Sequence, residues 1–417
     1  MTQTRTLSTR GARRAPISAR IVLGLLERIE YGSIGLHLPD GSEWMAGHGS
    51  PTARLAVHDW SVFDAVLERG DIGLAASFID GRCTTPSPTD LLDVLVGNRR
   101  VLDRAVYGRW IGRLGHRLRH LLNRNSRRGS RRNIQAHYDL GNAFYREWLD
   151  ESMTYSSAIF DGEASARQAP SDDAALAGAQ LRKYRRVLDR ARVSPGGRIL
   201  EIGSGWGGFA EVAASAGVRV RGLTLSTEQL DWARARLARH AEPGLASFAL
   251  QDYRDERDPE GYDAVVSIEM FEAVGEAWWD TWFDSVHRNL KPDARAVVQT
   301  IVIDDALFER YREGTDFIQQ YIFPGGMLPS PSRFVDLAAA HGFEIEDATA
   351  FGAHYARTLA CWHRRFERRE AEIRAQGFDE AFVRTWKFYL AYCEAAFRHR
   401  STDVVQFTLR KRASAPR

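Results

Sequence analysis

From Gly196 onward the apolar residues fall into short runs that alternate with amphipathic stretches. "GRILEIG" is a run of strand length, followed by a loop bearing Gly203, Gly205, Gly207 and Gly208 and then by the alanine-rich pattern "FAEVAASAG". "VRVRGLTL" leads into "STEQLDWARARLARHA", and "ASFALQD", "YDAVVSI", "WWDTWFDSVHRNL" and "ARAVVQTIVI" continue the rhythm. Short apolar runs bounded by turn residues read as buried strands, and their alternation with helices predicts a mostly parallel, doubly wound α/β sheet. Such a sheet takes its ligand at the carboxyl ends of its strands. Ser226 followed by Gln229 adds a capping box at one helix start.

The pattern upstream is different. Residues 1–18 form a polar, arginine-bearing tail, and residues 19–98 read as a small α+β domain. Its strand-like pieces are "GSIGLHLPDGSEW" and "ARLAVHDW", and its helical patterns are "SVFDAVLERGDIGLAASFIDG" and "PTDLLDVLVGN". Residues 99–133 repeat Leu102, Val106, Trp110, Leu114, Leu118 and Leu122 every four positions among arginines, the sign of a basic amphipathic helix and linker. That segment either packs on the protein's own core or lies against an anionic membrane surface. Aromatic residues are sparsely interleaved there and the net charge of the whole chain is only +3, which argues against nucleic acid as a partner. Residues 134–417 make up the α/β domain and a helical cover whose aromatic stripes, from about 354 to 399, are expected to line an apolar tunnel.

Composition adds exclusions. Cys83, Cys361 and Cys393 are far apart and show no CxxC spacing, so neither a disulfide framework nor a metal site is expected, and a cytoplasmic setting fits best. The apolar runs are too short to span a bilayer, which leaves association with its inner face as the expected mode of membrane contact.

A glycine-rich loop between strand and helix also marks dinucleotide sites, but those want an acid at the end of the following strand, where this chain reads "GLTLS". Glu201 before the first glycine and Asp252 at the end of "ALQD" suit a nucleoside with a cationic sulfonium and an amino-acid tail, that is, S-adenosylmethionine (SAM). "SIEMFEAVG" then places Glu269 and Glu272 beside bulky apolar residues, where a carboxylate is costly to bury unless something pairs with it.

"NIQAHYDLGNAFYREWLDESMTYSSAIF", "ILEIGSGWGG", "GLTLSTEQ", "LQDYRD", "SIEMFEAVG", "YIFPGGMLPS" and "FGAHYARTLACW" occur in the order found in cyclopropane fatty acid synthases, which the chain resembles over about residues 130–411. The resemblance implies a class I SAM-dependent methyltransferase fold, Rossmann-like, that transfers the SAM methyl to a cis double bond of an unsaturated acyl chain on a membrane phospholipid. Ring closure in that family uses a bicarbonate ion as base. The resemblance gives Glu272 the task of orienting it, with Tyr355 and the main chain near Ser157 and Ile301 as further ligands, and Glu272 is also the candidate for accepting the proton directly. It also implies cofactor contacts at Tyr155, Ser156, Gly203, Gly205, Gly207, Thr224, Leu225, Gln229, Tyr253 and Arg254, beside Glu201 and Asp252. Tyr138 and Tyr155 are candidates for stabilising the cation through their ring faces, while His137 reads as structural.

The chain departs from the family pattern at three places. Ser157 replaces a cysteine, Gln299 a histidine and Ala273 another histidine. Glutamine cannot titrate, so bicarbonate is expected to be held more weakly, and ring closure competes with a methyl- or methylene-branched outcome. Glu269 stands where relatives often have a small residue and reads as structural or ligand-shaping. Cys393 matches a cysteine proposed elsewhere as a nucleophile, but its helical neighbours Phe388, Tyr389 and Phe397 favour a buried thiol. The expectation is cyclopropane formation on phospholipid. Its alternatives are methylation without ring closure, methylation of a small molecule, and a non-catalytic lipid-surface protein, with a homodimer left open.

Overall fold

The computed structural model describes residues 15–106, 140–162, 173–240 and 244–412. His137, Tyr138, the first residues of the tail and the basic segment from residue 107 to 133 lie outside the described residues. In chain order the strands are β1 (Ser33–His37), β2 (Glu43–Gly47), β3 (Thr52–Val57), β4 (Cys83–Thr84), β5 (Arg198–Ile202), β6 (Arg219–Thr224), β7 (Ala246–Leu250), β8 (Tyr262–Ile268), β9 (Leu290–Ile303), β10 (Phe343–Ala350) and β11 (Thr402–Lys411).

β1 to β4 form a small sheet in the order β2-β1-β3-β4. Helices Ser61–Arg69, Asp71–Ile79 and Pro88–Gly97 accompany it, so the single helical pattern read at 61–81 is broken at Gly70. A further helix begins at Ile17, within the stretch expected to be tail, because Ala19, Leu23 and Leu26 bury against this unit.

The second sheet has the order β10-β11-β9-β8-β5-β6-β7. β5 to β9 run parallel, and β11 enters antiparallel between β9 and β10. Strand residues alternate between faces, so Ile199 joins Val220, Ala264 and Phe209 on one side while Leu200 joins Val265, Trp282 and Phe283 on the other. Both faces are covered, which is why these strands read as continuous apolar runs rather than alternating ones. Strand order reverses at β5, with β6 on one side and β8 on the other. The carboxyl ends there open the crevice in which such sheets bind ligands.

Helices Gly352–Arg368 and Glu380–Arg398 lie over those ends, and the small N-terminal unit packs against their outer side through contacts such as Phe78 with Phe388. His399 bonds Asp93 at 2.9 Å and His363 bonds Thr89 at 3.2 Å, both across this junction. No helix among the described residues is long and apolar enough to cross a membrane.

Candidate active site

The turn after β5 is pinned from the neighbouring strand. Gly203 N–H and Ser204 N–H both donate to the Leu223 carbonyl, at 3.0 and 2.9 Å. Gly203 has φ +86°, and a Cβ there would come within 2.9 Å of Met270, so only glycine fits without displacement. Nothing lies within 4 Å of where a Cβ on Gly205 would sit, so the backbone faces open space. Gly207 has a different place. It caps the Gly208–Ser215 helix, its α-carbon faces Ala233, and it does not border the cavity.

That space belongs to a cavity of about 300 Å³. At one end Gly203, Gly205, Thr224, Leu225, Asp252 and Tyr253 border it, with Tyr155, Ser156, Glu201, Gln229 and Arg254 completing the set expected from sequence apart from Gly207. Thr224 Oγ donates to Gln229 Oε1 at 2.9 Å, and Ser226 Oγ accepts from Gln229 N–H at 3.3 Å, so the Ser226 half of the capping box forms while the glutamine side chain turns to Thr224. Both Asp252 oxygens are engaged by Arg254, at 2.6 and 2.8 Å. Glu201 is 3% exposed, its Oε2 has no hydrogen-bond partner, and burial holds its carboxyl well above the ordinary range. An orphaned acid facing a glycine turn with open space above it fits a nucleoside with a cationic tail.

At its other end the cavity reaches Glu269, Glu272, Tyr355, Tyr389 and Cys393. Glu269 directly follows β8 with φ +50°, an uncommon conformation for a non-glycine residue. That bend aims its carboxylate back at three donors. Oε1 accepts from Ser157 N–H at 2.8 Å and from Gln299 Nε2 at 2.7 Å, and Oε2 accepts from Tyr355 OH at 2.7 Å. Burial pushes the Glu269 carboxyl up, and these three bonds together with the charge of Lys183 pull it back.

Three of the groups expected around a bicarbonate ion are thus bonded to Glu269. Glu272, the expected orienter, instead accepts from Ile301 N–H, and its Oε2 has no hydrogen-bond partner. Burial, and then the nearby charge of Glu269, push Glu272 up to about 8. The left-handed bend at 269 brings the earlier carboxylate, not the later one, to Tyr355 and Ser157. An ion held by those donors would have to displace Glu269, so the residues present do not fit bicarbonate.

Cys393 borders the cavity, and burial pushes its thiol up, away from the thiolate a nucleophile needs. Tyr155 OH pairs with Tyr389 OH at 2.6 Å, placing two rings in the wall. The expected tunnel is lined by Leu359, Tyr389, Ala396 and Phe397 of the covering helices, but it also holds Asp316, pushed by burial to about 7.

Lys183 is a residue that sequence reasoning missed. Its ammonium is fully buried, donates to Ser156 Oγ at 2.5 Å and lies 4.0 Å from the Tyr184 ring. Burial lowers it to about 7, against the fields of Glu269, Asp150 and Glu201. No signal in the local sequence marks it, since it is one basic residue among several arginines on the Asp173–Ala191 helix.

This sheet order, the glycine turn after its first parallel strand and the acid before that turn define a class I SAM-dependent methyltransferase. The fold of mycolic acid cyclopropane synthase CmaA1, solved with S-adenosylhomocysteine and CTAB, superposes with a TM-score of 0.60 at 31% identity, over 67% of this chain and 98% of that one. The sequence matches the family described as mycolic acid cyclopropane synthetase over residues 125–407, and the chain belongs to that family. It is 40% identical to tuberculostearic acid methyltransferase UfaA1 of Mycobacterium tuberculosis, over 83% of this chain and 81% of that protein. It is 34% identical to cyclopropane-fatty-acyl-phospholipid synthase of Escherichia coli, over 87% and 89%.

The geometry makes one stability prediction. The Glu272 carboxyl, at about 8 when folded and in the ordinary carboxylate range when unfolded, contributes stability that is complete at low pH and is lost as pH rises through 8. Glu272→Gln keeps an acceptor for Ile301 N–H and carries no charge. It is therefore expected to raise the melting temperature relative to the parent by more at pH 8.5 than at pH 5, as calorimetric scans at the two values would show.

Proposed function

We propose that this protein transfers the methyl group of SAM to the double bond of an unsaturated fatty acyl chain carried by a phospholipid, and that Glu269 accepts the proton released afterwards. The observation behind this is the carboxylate at the end of β8, bonded to Ser157 N–H, Gln299 and Tyr355 inside a cavity continuous with the SAM turn. When bound, SAM supplies an electrophilic methyl. The protein's part is to exclude water, to hold the acyl double bond in line, and to offer a base of fixed position.

Attack by the alkene forms a carbon–carbon bond, breaks the sulfur–methyl bond and leaves a cation on the neighbouring chain carbon. Loss of a proton to Glu269 then completes the reaction without an added reductant. A proton leaving the chain gives a methyl-branched alkene. After a hydride shift, a proton leaving the new methyl gives a methylene branch. Both fit a site that holds a tethered base in place of the family's ion, and the similarity to a protein named as a methyltransferase supports this open-chain outcome. Ring closure, with Glu269 as the base, is the second reading, favoured by the similarity to the E. coli synthase. Phospholipid as carrier is supported by the similarity to the E. coli protein named as an acyl-phospholipid synthase, which aligns over 87% of the chain, whereas cyclopropane mycolic acid synthase 3 aligns over 67% of it.

Methyl-labelled SAM and vesicles of phospholipid bearing cis-monounsaturated chains test the reading. The labelled carbon is expected in the lipid as a methyl or a terminal alkene by carbon NMR. A ring methylene would select the second reading, and absence of label from all lipid would overturn both.

A further inference from the structure

Glu269 receives one of its three bonds from a side-chain amide, and a side-chain amide can face either way. Gln299 could offer Glu269 its N–H or its carbonyl oxygen, and only the first stabilises a carboxylate. Neighbouring groups settle the choice. Gln299 on β9 and Gln406 on β11 are register partners in the antiparallel pair, 0% and 1% exposed. Arg186, on the Asp173–Ala191 helix, donates through Nε to Gln406 Oε1 at 3.0 Å. Gln406 Nε2 donates to Gln299 Oε1 at 2.9 Å, and Gln299 Nε2 donates to Glu269 Oε1 at 2.7 Å. A guanidinium only donates, so the first bond fixes the sense of the next two. Arg186 is itself held, donating to Thr349 Oγ at 2.7 Å and pairing with Asp347 at 3.4 Å.

We propose that Arg186 and Gln406 are positioning residues which turn the Gln299 amide so that it donates to Glu269, keeping Glu269 a proton acceptor. The proposal rests on the reading of Glu269 as the base. A histidine at position 299 could donate or accept according to its own protonation, whereas this relay has no titratable member between Arg186 and Glu269. If Gln299 turned over, its carbonyl oxygen would face the Glu269 carboxylate at hydrogen-bond distance, and the charged form would be disfavoured. The other ionisable groups facing Glu269 are Lys183, Tyr355 and Glu272, and those facing Arg186 are Asp347 and Arg190.

Gln406→Glu isolates the relay. Its carboxylate still accepts from Arg186 but cannot donate, so Gln299 must turn its N–H toward position 406. With full-length protein, SAM and vesicles of cis-monounsaturated phospholipid, the acid limb of kcat is expected to move to higher pH by about one unit or more, while KM for SAM stays within about twofold. Gln406→Met, uncharged and of similar volume, should move the limb in the same direction by less, and it carries the test if the glutamate variant does not fold. An unmoved acid limb in whichever variant still binds SAM would overturn the relay, even with kcat uniformly lowered, since a structural role alone would do that. Glu269→Gln, run alongside, separates the two levels. Parental rate and limb there would remove the base itself, whereas a slow Glu269→Gln with an unmoved limb at position 406 would sink the relay alone.

Discussion

Glu269→Gln is expected to slow formation of methylated lipid by roughly a hundred- to ten-thousand-fold, the range a positioned general base supplies. Glutamine fills the same volume and can still accept from Ser157 N–H, so the cavity keeps its shape. It cannot take up a proton, and it carries no negative charge to set against a developing cation. SAM binding should change little, because Glu201, not Glu269, lies beside the glycine turn. The pairing of a lost rate with a kept affinity is the signature to seek, by single-turnover assay and by calorimetric titration with SAM. A rate within about threefold of the parent would place the chemistry elsewhere.

Glu201→Gln is expected to produce the opposite division. Its carboxyl is buried, has an oxygen with no partner, and is held well above the ordinary range. A cationic ligand arriving beside it lowers its pKa, so affinity for SAM should climb as rising pH ionises the carboxyl. Removing one member of a desolvated charge pair typically costs about 2–5 kcal/mol, so the variant should bind SAM about thirtyfold to several-thousandfold more weakly. Calorimetry in buffers of different ionisation enthalpy reads any proton released on binding directly. A variant with parental affinity and the same proton release would exclude Glu201 from the cofactor site.

The parallel sheet was legible because buried strands and their helices each carry a local period, and "RILEI" and "YDAVVSI" announce themselves within seven residues. The turn after β5 was legible for a similar reason, since Glu201, Gly203 and Gly205 stand at fixed spacing and border one cavity. The antiparallel strands β10 and β11 were not read from the sequence. β10 alternates strictly but buries only Phe343, its other inner positions being half-buried and including Asp347, and β11 enters the sheet between two strands that precede it. The arrangement of the two glutamates was hidden too. Glu269 and Glu272 are three positions apart, and only the backbone bend at 269 decides which meets Tyr355, 86 residues further on. Lys183, Arg186 and Gln406 lie on elements whose own patterns are those of any helix or strand, and their contacts are drawn from across the fold.

The left-handed bend after β8 also has a bearing on how the protein meets its surroundings. A base borrowed from solution is present only as far as respiration and the surrounding air supply it, and its occupancy falls when dissolved carbon dioxide is swept away. A side chain anchored to the polypeptide is present at one equivalent per molecule whatever the gas phase holds. Under the role proposed for Glu269, turnover is expected to be indifferent to inorganic carbon, with lipid modification proceeding at the same pace in a purged flask as in a crowded, fermenting culture.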